Sequence, residues 1–252
     1  MGGWRSMKLF VDIGNTAIKW ATGEELERGV LHRAAANDLP GAIEEAWTAM
    51  PKPREVHLAC VRQPQAMTGL IEWVRRHWQT SPRLAQTKQQ EQGVTNGYGN
   101  VSQLGVDRWL ALLGARAISP NPVIVVDCGS ATTIDAMDGK GRHLGGVILP
   151  GLRLFAGCLR QRTDMPPYGE GRISSDCFAT DTATGIATGA MLAHTSTIRE
   201  MYHRLQQRSN GEADCLLTGG DAGMLAGHLE LAHELRPDLV LQGLALQSDQ
   251  AE

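Results

Sequence analysis

One short pattern occurs twice in this chain, about half a chain apart. Lys8-Leu9-Phe10-Val11 runs into Asp12-Ile13-Gly14-Asn15-Thr16. Val123-Ile124-Val125-Val126 runs into Asp127-Cys128-Gly129-Ser130-Ala131. Each copy is an apolar run, as expected of a buried strand, that stops at Asp-x-Gly and a small polar residue. Self-similarity at that spacing predicts two halves of like architecture and excludes a solenoid of short repeats.

The two copies continue alike. Ala17-Ile18-Lys19-Trp20 and Thr132-Thr133-Ile134-Asp135 read as second strands returning from a tight turn. Third strands are expected over 29–35 and 142–149, and a further short one at 215–218. Apolar spacing predicts helices over 39–50, 65–78, 105–118, 182–207, 222–229 and 238–247. Three strands followed by helix, strand and helix, twice over, give an α/β chain with mixed sheets. The seam at Ser119-Pro120-Asn121-Pro122 is short, so the expected lobes are 1–119 and 120–252. Segments 93–103 and 163–175 are rich in Gly, Asn, Pro and Ser, and loops of that length often carry function.

Composition narrows the classes. Of 252 residues, 42% are hydrophobic and 20% charged, enough to bury a core. Basic and acidic residues number 24 and 27, so no global positive field draws the chain to nucleic acid or an anionic membrane. No apolar run approaches the ~18–20 residues of a membrane span. Asp12 interrupts the only early apolar run, so no secretory signal is read there. The five cysteines include no C-x-x-C pair, which predicts free thiols in a reducing cytoplasm. Met1-Gly2-Gly3-Trp4-Arg5-Ser6 fits a permissive myristoylation pattern, but the preferred readings are a natural start at Met7 or a loose six-residue lead.

The repeated turn has the chemistry of a phosphate cradle. Gly14 allows close approach, Asn15 and Thr16 add neutral donors, and Lys19 adds a point positive charge. Asp12 at the strand end can hold Mg²⁺, directly or through water. The second copy, Asp127 to Asp135, offers three hydroxyls and a second acid. Two such turns facing each other would enclose a nucleotide. The chain has no G-x-x-x-x-G-K-[ST], no G-x-G-x-x-G after a strand, and no protein-kinase signature.

These motifs resemble those of type III pantothenate kinases, and in the same order. Asp12-Ile13-Gly14-Asn15-Thr16-Ala17-Ile18-Lys19 resembles that family's first phosphate motif. Gly105-Val106-Asp107-Arg108 resembles its Gly-x-Asp-Arg signature, and Asp127 to Asp135 its second phosphate motif. Gly145-Gly146-Val147-Ile148-Leu149-Pro150-Gly151 is similar to its Gly-Gly-x-Ile-x-Pro-Gly. Thr218-Gly219-Gly220-Asp221-Ala222 is similar to its late glycine motif.

The resemblance implies a duplicated actin-like (ribonuclease H-like) ATPase fold. It implies phosphorylation of pantothenate by ATP, a homodimer, and a need for Mg²⁺ or another divalent cation together with K⁺ or NH₄⁺. By the same resemblance Asp107 is the general base for the pantothenate hydroxyl. An aspartate with an ordinary pKa near ~3.9 suffices if it orients the hydroxyl and accepts its proton late. Arg108 would grip the pantothenate carboxylate. Tyr98 and Thr182 would touch the same substrate, with Gly105 and Val106 beside them. Residues 12–19 and Ser130 would bind ATP, and Asp127 would hold the monovalent cation.

Two positions depart from the family pattern. Ser130 stands where a Thr is usual, and Val101 stands where a Pro is common, which would loosen the Tyr98 loop. Other features read as structural. His228 and His233 lie on a solvated helix face, His57 is a strand-edge residue, and Trp73 and Trp78 are packing. A non-catalytic regulatory homologue, or a kinase of the same superfold with another small substrate, are the competing readings.

Overall fold

The computed structural model describes residues 7–36, 41–62, 65–162, 169 and 171–249. The myristoylation-like start, residues 39–40 of an expected helix, and 163–168 and 170 of an expected loop lie outside the described residues. In chain order the elements are β1 Lys8–Ile13, β2 Ala17–Thr22, α1 Gly23–Glu27, β3 His32–Ala35, α2 Gly41–Thr48, β4 Glu55–Cys60 and α3 Gln65–Trp78. Next come β5 Arg83–Leu84, β6 Gln90–Glu91, β7 Val94–Thr95, α4 Val106–Ile118, β8 Val123–Cys128, β9 Ala131–Met137 and β10 His143–Pro150. The chain closes with α5 Leu152–Arg162, α6 Thr182–Arg208, β11 Asp214–Thr218, α7 Ala222–Ala226, β12 Glu234–Leu235 and α8 Leu239–Ser248.

Two five-stranded sheets have one topology. Their strand orders are β3-β2-β1-β4-β5 and β10-β9-β8-β11-β12. In each, the first three strands are antiparallel neighbours and the last two run parallel to the first. That arrangement, made twice, is the duplicated actin-like α/β fold.

The chain divides after Ile118 and again after Pro237, and the segment from 238 onward joins the first unit. The sequence reading assigned all of 120–252 to the second lobe, so this tail is a correction. The physical reason is a close helix crossing inside the first unit. A Cβ on Gly243 of α8 would lie 1.9 Å from the Leu110 carbonyl oxygen of α4. One on Gly114 would lie 2.5 Å from the Leu239 carbonyl oxygen. Only glycine at both points lets the two backbones meet.

In the first unit, strand alternation splits the sheet into two faces. Leu9, Val11, Ile13, Ile18, Trp20, Val56 and Leu58 form a core with Ile43 and Trp47 of α2 and Leu70, Trp73, Val74 and Trp78 of α3. Trp47 stacks on Trp78 and meets Trp73 edge-on, so Trp73 and Trp78 are packing residues as expected. The opposite face carries Phe10, Asp12, Lys19 and His57. His57 is not at a sheet edge: β4 lies between β1 and β5. It is buried against the Phe10 ring and bonds Glu55 through Nε2 at 3.0 Å.

In the second unit, Ile124, Val126, Cys128, Ile134, Ala136, Cys215 and Leu217 pack against Leu152, Ala190, Met191, Ile198, Leu205, Ala222 and Leu225 of the helices. All five cysteines are free. Burial, reinforced by the nearby Asp214 charge, pushes the Cys215 thiol up to about 12. Burial raises Cys128 as well, with Asp127 and Asp221 adding to it. Both thiols are inert core side chains.

Element boundaries differ from expectation in a few places. Helix α1 escaped the sequence reading because it is five residues long; a capping box between Thr22 and Glu25 starts it. Helix α7 stops at Ala226, so His228 and His233 do not share a helix face. If the glycine crossing fixes α8, Gly243→Ala destabilises the protein by about 1–3 kcal/mol through overpacking. Urea denaturation of the variant against wild type measures this.

Candidate functional site

The first phosphate turn is closed by its own backbone. The Gly14 N–H donates to the Ala17 carbonyl at 3.0 Å, and a Cβ on Gly14 would lie 3.1 Å from that oxygen. Gly14 therefore shapes the turn, and its N–H is not the donor to a phosphate. Asn15 and Thr16 stand exposed at the tip. Ile13 and Ile18 pair directly across β1 and β2 and are fully buried. Their side chains belong to the core, which leaves only backbone at these two expected ATP contacts to meet a ligand. Ala17 is half-buried. Asp12 and Lys19 are also direct cross-strand partners, on the face opposite the tryptophan core.

The Gly-x-Asp-Arg segment starts α4. Val106 is its first helical residue and Asp107 the second. A carboxylate in a first turn is favoured by the helix dipole. Asp107 Oδ1 accepts the Arg108 N–H at 2.8 Å. That side chain folds back over Gly105, where a Cβ would lie 2.6 Å from Oδ1. The signature glycine is thus required by the aspartate two residues later.

Arg108 is only 7% exposed. A buried guanidinium must be paired or hydrogen-bonded. Its Nη1 donates to the Tyr98 hydroxyl at 3.0 Å, and its Cζ lies 5.6 Å from the Tyr98 ring centroid. The structure therefore brings Tyr98, Gly105, Val106, Asp107 and Arg108 together at the start of one helix. Val101 begins a 3-10 turn, Val101–Gln103, that Asn100 caps through the Ser102 N–H. The cap restrains this loop where the family's proline is missing.

The second unit repeats the turn. The Gly129 N–H donates to the Ala131 carbonyl at 3.0 Å, and the Ser130 carbonyl accepts the Gly151 N–H at 3.0 Å. A Cβ on Gly151 would lie 2.2 Å from the Gly129 oxygen. This is why the Gly-Gly-x-Ile-x-Pro-Gly run ends in glycine. Gly145 has φ +114 beside a register shift in the β9–β10 ladder, a bulge that calls for glycine at that position.

Asp127 sits between Thr133 of β9 and Thr218 of β11. Gly219, at φ +95, approaches it so closely that a Cβ would lie 2.5 Å from Asp127 Oδ1 and from the Cys128 carbonyl. The Asp221 N–H bonds that carbonyl at 3.0 Å. The late glycine motif thus packs on the second phosphate turn. Thr182 opens α6, but Asp181 is the cap, accepting the Thr184 N–H at 2.9 Å. Thr182 lies exposed at the first helical position. Among the described residues no three His, Cys, Asp or Glu side chains form a metal-holding group.

The family model of type III pantothenate kinases matches residues 8–204. The chain belongs to that family. A type III pantothenate kinase of Methylibium petroleiphilum is 37% identical over 94% of this chain and 96% of its own length. One from Nitrosococcus oceani is 32% identical over 95% and 92%. Among solved structures, a Baf family protein of Campylobacter jejuni superposes with TM-score 0.64 at 19% identity, over 96% of this chain and 98% of that one. The ethanolamine utilization protein EutJ of Carboxydothermus hydrogenoformans gives 0.51 at 14%, over 95% and 89%. These two likenesses concern the fold.

The sequence reading passed over Glu91, Lys88 and Gln247, which tie the Tyr98 loop to α8. One signal was present: Gln247 is one of three polar side chains, with Gln242 and Ser248, in a mostly apolar helix. Gly219 supplies a discriminating test of the second turn. Gly211→Ala, at φ +92 in open space, costs about 1–3 kcal/mol from backbone strain alone. Gly219→Ala adds the clash with Asp127 and is expected to lose roughly 1–3 kcal/mol more. Parallel urea titrations of the two variants compare them.

Proposed function

We propose that this chain transfers the γ-phosphoryl group of ATP to the primary hydroxyl of pantothenate, the first step of coenzyme A synthesis. The observation that carries the reading is the buried Arg108, held by the Tyr98 hydroxyl next to Asp107 on one helix start. Arg108 offers a fork to the pantothenate carboxylate. Asp107 accepts the hydroxyl proton as the oxygen attacks the γ-phosphorus. The bond to the β-phosphate oxygen breaks, and ADP leaves with its electrons. Tyr98 completes the contacts with the acceptor at this helix start, and Thr182 is a further contact only on the family resemblance.

The Asp12 turn and the Ser130 turn each offer hydroxyl and backbone donors suited to a phosphate, and Lys19 adds a point charge to the first. Asp12 fits a divalent ion carried by the nucleotide: one carboxylate, with no cluster of three ligands around it among the described residues. Mg²⁺ bound there would neutralise phosphate charge. Asp127, half-buried between two threonine positions, fits a monovalent ion such as K⁺ or NH₄⁺.

The working form is a homodimer. The second unit exposes Ile148, Leu154 and Phe178, large apolar side chains that a second copy would cover. No described helix is long and apolar enough to cross a membrane. We assign the chain to the cytoplasm, where ATP and coenzyme A synthesis meet.

An ADP-release assay with pantothenate, ATP and Mg²⁺ tests the reading directly. Asp107→Asn is expected to lower kcat by about 10²–10⁴-fold while ATP affinity holds. Equal losses in both would remove the base role. Arg108→Ala is expected to raise KM for pantothenate roughly tenfold to a hundredfold, as for a lost charged hydrogen bond. Turnover falls when Na⁺ replaces K⁺; indifference to the exchange rules out the Asp127 assignment.

A further inference from the structure

Glu91 is a carboxylate with 5% exposure, in the small β6–β7 hairpin that precedes the Tyr98 loop. A buried charge there persists only if it is well paired. It is paired twice: Lys88 Nζ donates to Oε1, and Gln247 Nε2 donates to Oε2 at 2.5 Å. Gln247 lies on α8. Its other amide contacts form a reciprocal bridge with Gln86: Oε1 accepts the Gln86 N–H at 3.1 Å, and Nε2 donates to the Gln86 carbonyl at 3.0 Å. This side chain needs one acceptor and two donors, which among the ordinary side chains of this size only glutamine supplies.

The hairpin tip is tied to the same helix. Gln92 and Gly93 adopt φ +49 and +75, a left-handed pair suited to a two-residue turn. Gln92 bears the strain, and its Nε2 donates to the Leu246 carbonyl of α8 at 2.8 Å. From the hairpin a hydrogen-bonded path leads to Tyr98. The Asn96 N–H donates to the Gln89 carbonyl at 2.9 Å, and Gln89 Nε2 returns a bond to the Asn96 carbonyl at 3.1 Å. Asn96 Oδ1 then accepts the Tyr98 N–H at 2.9 Å. Tyr98 in turn accepts from Arg108.

We propose that the Glu91–Gln247 pair positions the acceptor pocket: α8 fixes the hairpin from which Tyr98 hangs, without touching substrate. The proposal rests on Tyr98 and Arg108 being pantothenate contacts. Without the anchor, the loop must be ordered by the incoming substrate, and that cost appears as weaker acceptor binding. Asp107 stands on α4, fixed by the glycine crossing, so the chemical step is spared. The Asp12 turn does not hang from the hairpin, so ATP binding is spared too.

The test is steady-state kinetics of the full-length protein with pantothenate and ATP varied separately. Gln247→Leu and the near-isosteric Glu91→Gln are expected to raise KM for pantothenate about tenfold. Both keep kcat and KM for ATP within about twofold, the precision with which such a split is read. Gln247→Glu sets two carboxylates face to face and raises KM furthest. Adding Glu91→Gln to it restores an amide–carboxylate bond and brings KM back toward wild type. An active wild type with unchanged KM in the variants overturns the positioning role. So does a loss shared by kcat and both KM values that tracks the fall in Tm. A wild type that does not phosphorylate pantothenate overturns the functional reading instead, and this inference with it.

Discussion

The meeting of α4 and α8 at two glycines is the constraint on which the acceptor side depends. With Leu110 and Leu239 carbonyls against Gly243 and Gly114, neither helix can carry a side chain at its contact point. The separation is therefore set by backbone, which is stiffer than any pair of interdigitating side chains. Asp107 and Arg108 occupy the first turn of α4 and inherit that stiffness. The hairpin under Tyr98 is bonded to α8 through Gln247 and through the Leu246 carbonyl. Both halves of the Tyr98–Arg108 contact are thereby referred to one rigid crossing.

The phosphate turns follow a second rule, that a tight turn spends its own donors first. Gly14 and Gly129 each give their N–H to a carbonyl two or three residues on. What is left for a ligand is the exposed tip and the side chains in register behind it. That favours Asn15, Thr16, Lys19 and Ser130 over the glycines and over Ile13 and Ile18. The duplicated pattern conserves geometry, and the polar residues placed on it decide the chemistry.

Much of this was legible in the sequence because it is local. The strand–turn–strand repeats, the helix over 106–118 and the Gly-x-Asp-Arg start depend on near neighbours, and periodicity reads near neighbours well. Gly105 is a good case: the reason for it lies two residues away in Asp107. What could not be read was long-range. Placing the last helix with the first unit needed the pairing of Gly243 with Leu110, and nothing near Gly243 announces it. His57 looked like an edge residue because β5, a two-residue strand, gives almost no sequence signal.

The two long-range facts meet in the duplication itself. α4 and α8 each come after the fifth strand of a sheet, α8 directly and α4 with the β6–β7 hairpin and a 3-10 turn between. Their sequences have parted. α4 opens with Asp107 and Arg108, the pair proposed to meet the acceptor. α8 is apolar almost throughout, and its few polar side chains, Gln247 foremost, are spent on holding other segments. A duplicated fold needs only one copy of each catalytic group, so the second copy of the helix is free to become support. A buried glutamine on a greasy helix is what that change leaves behind. It persists because Glu91 would otherwise be buried with a hydrogen bond unmade.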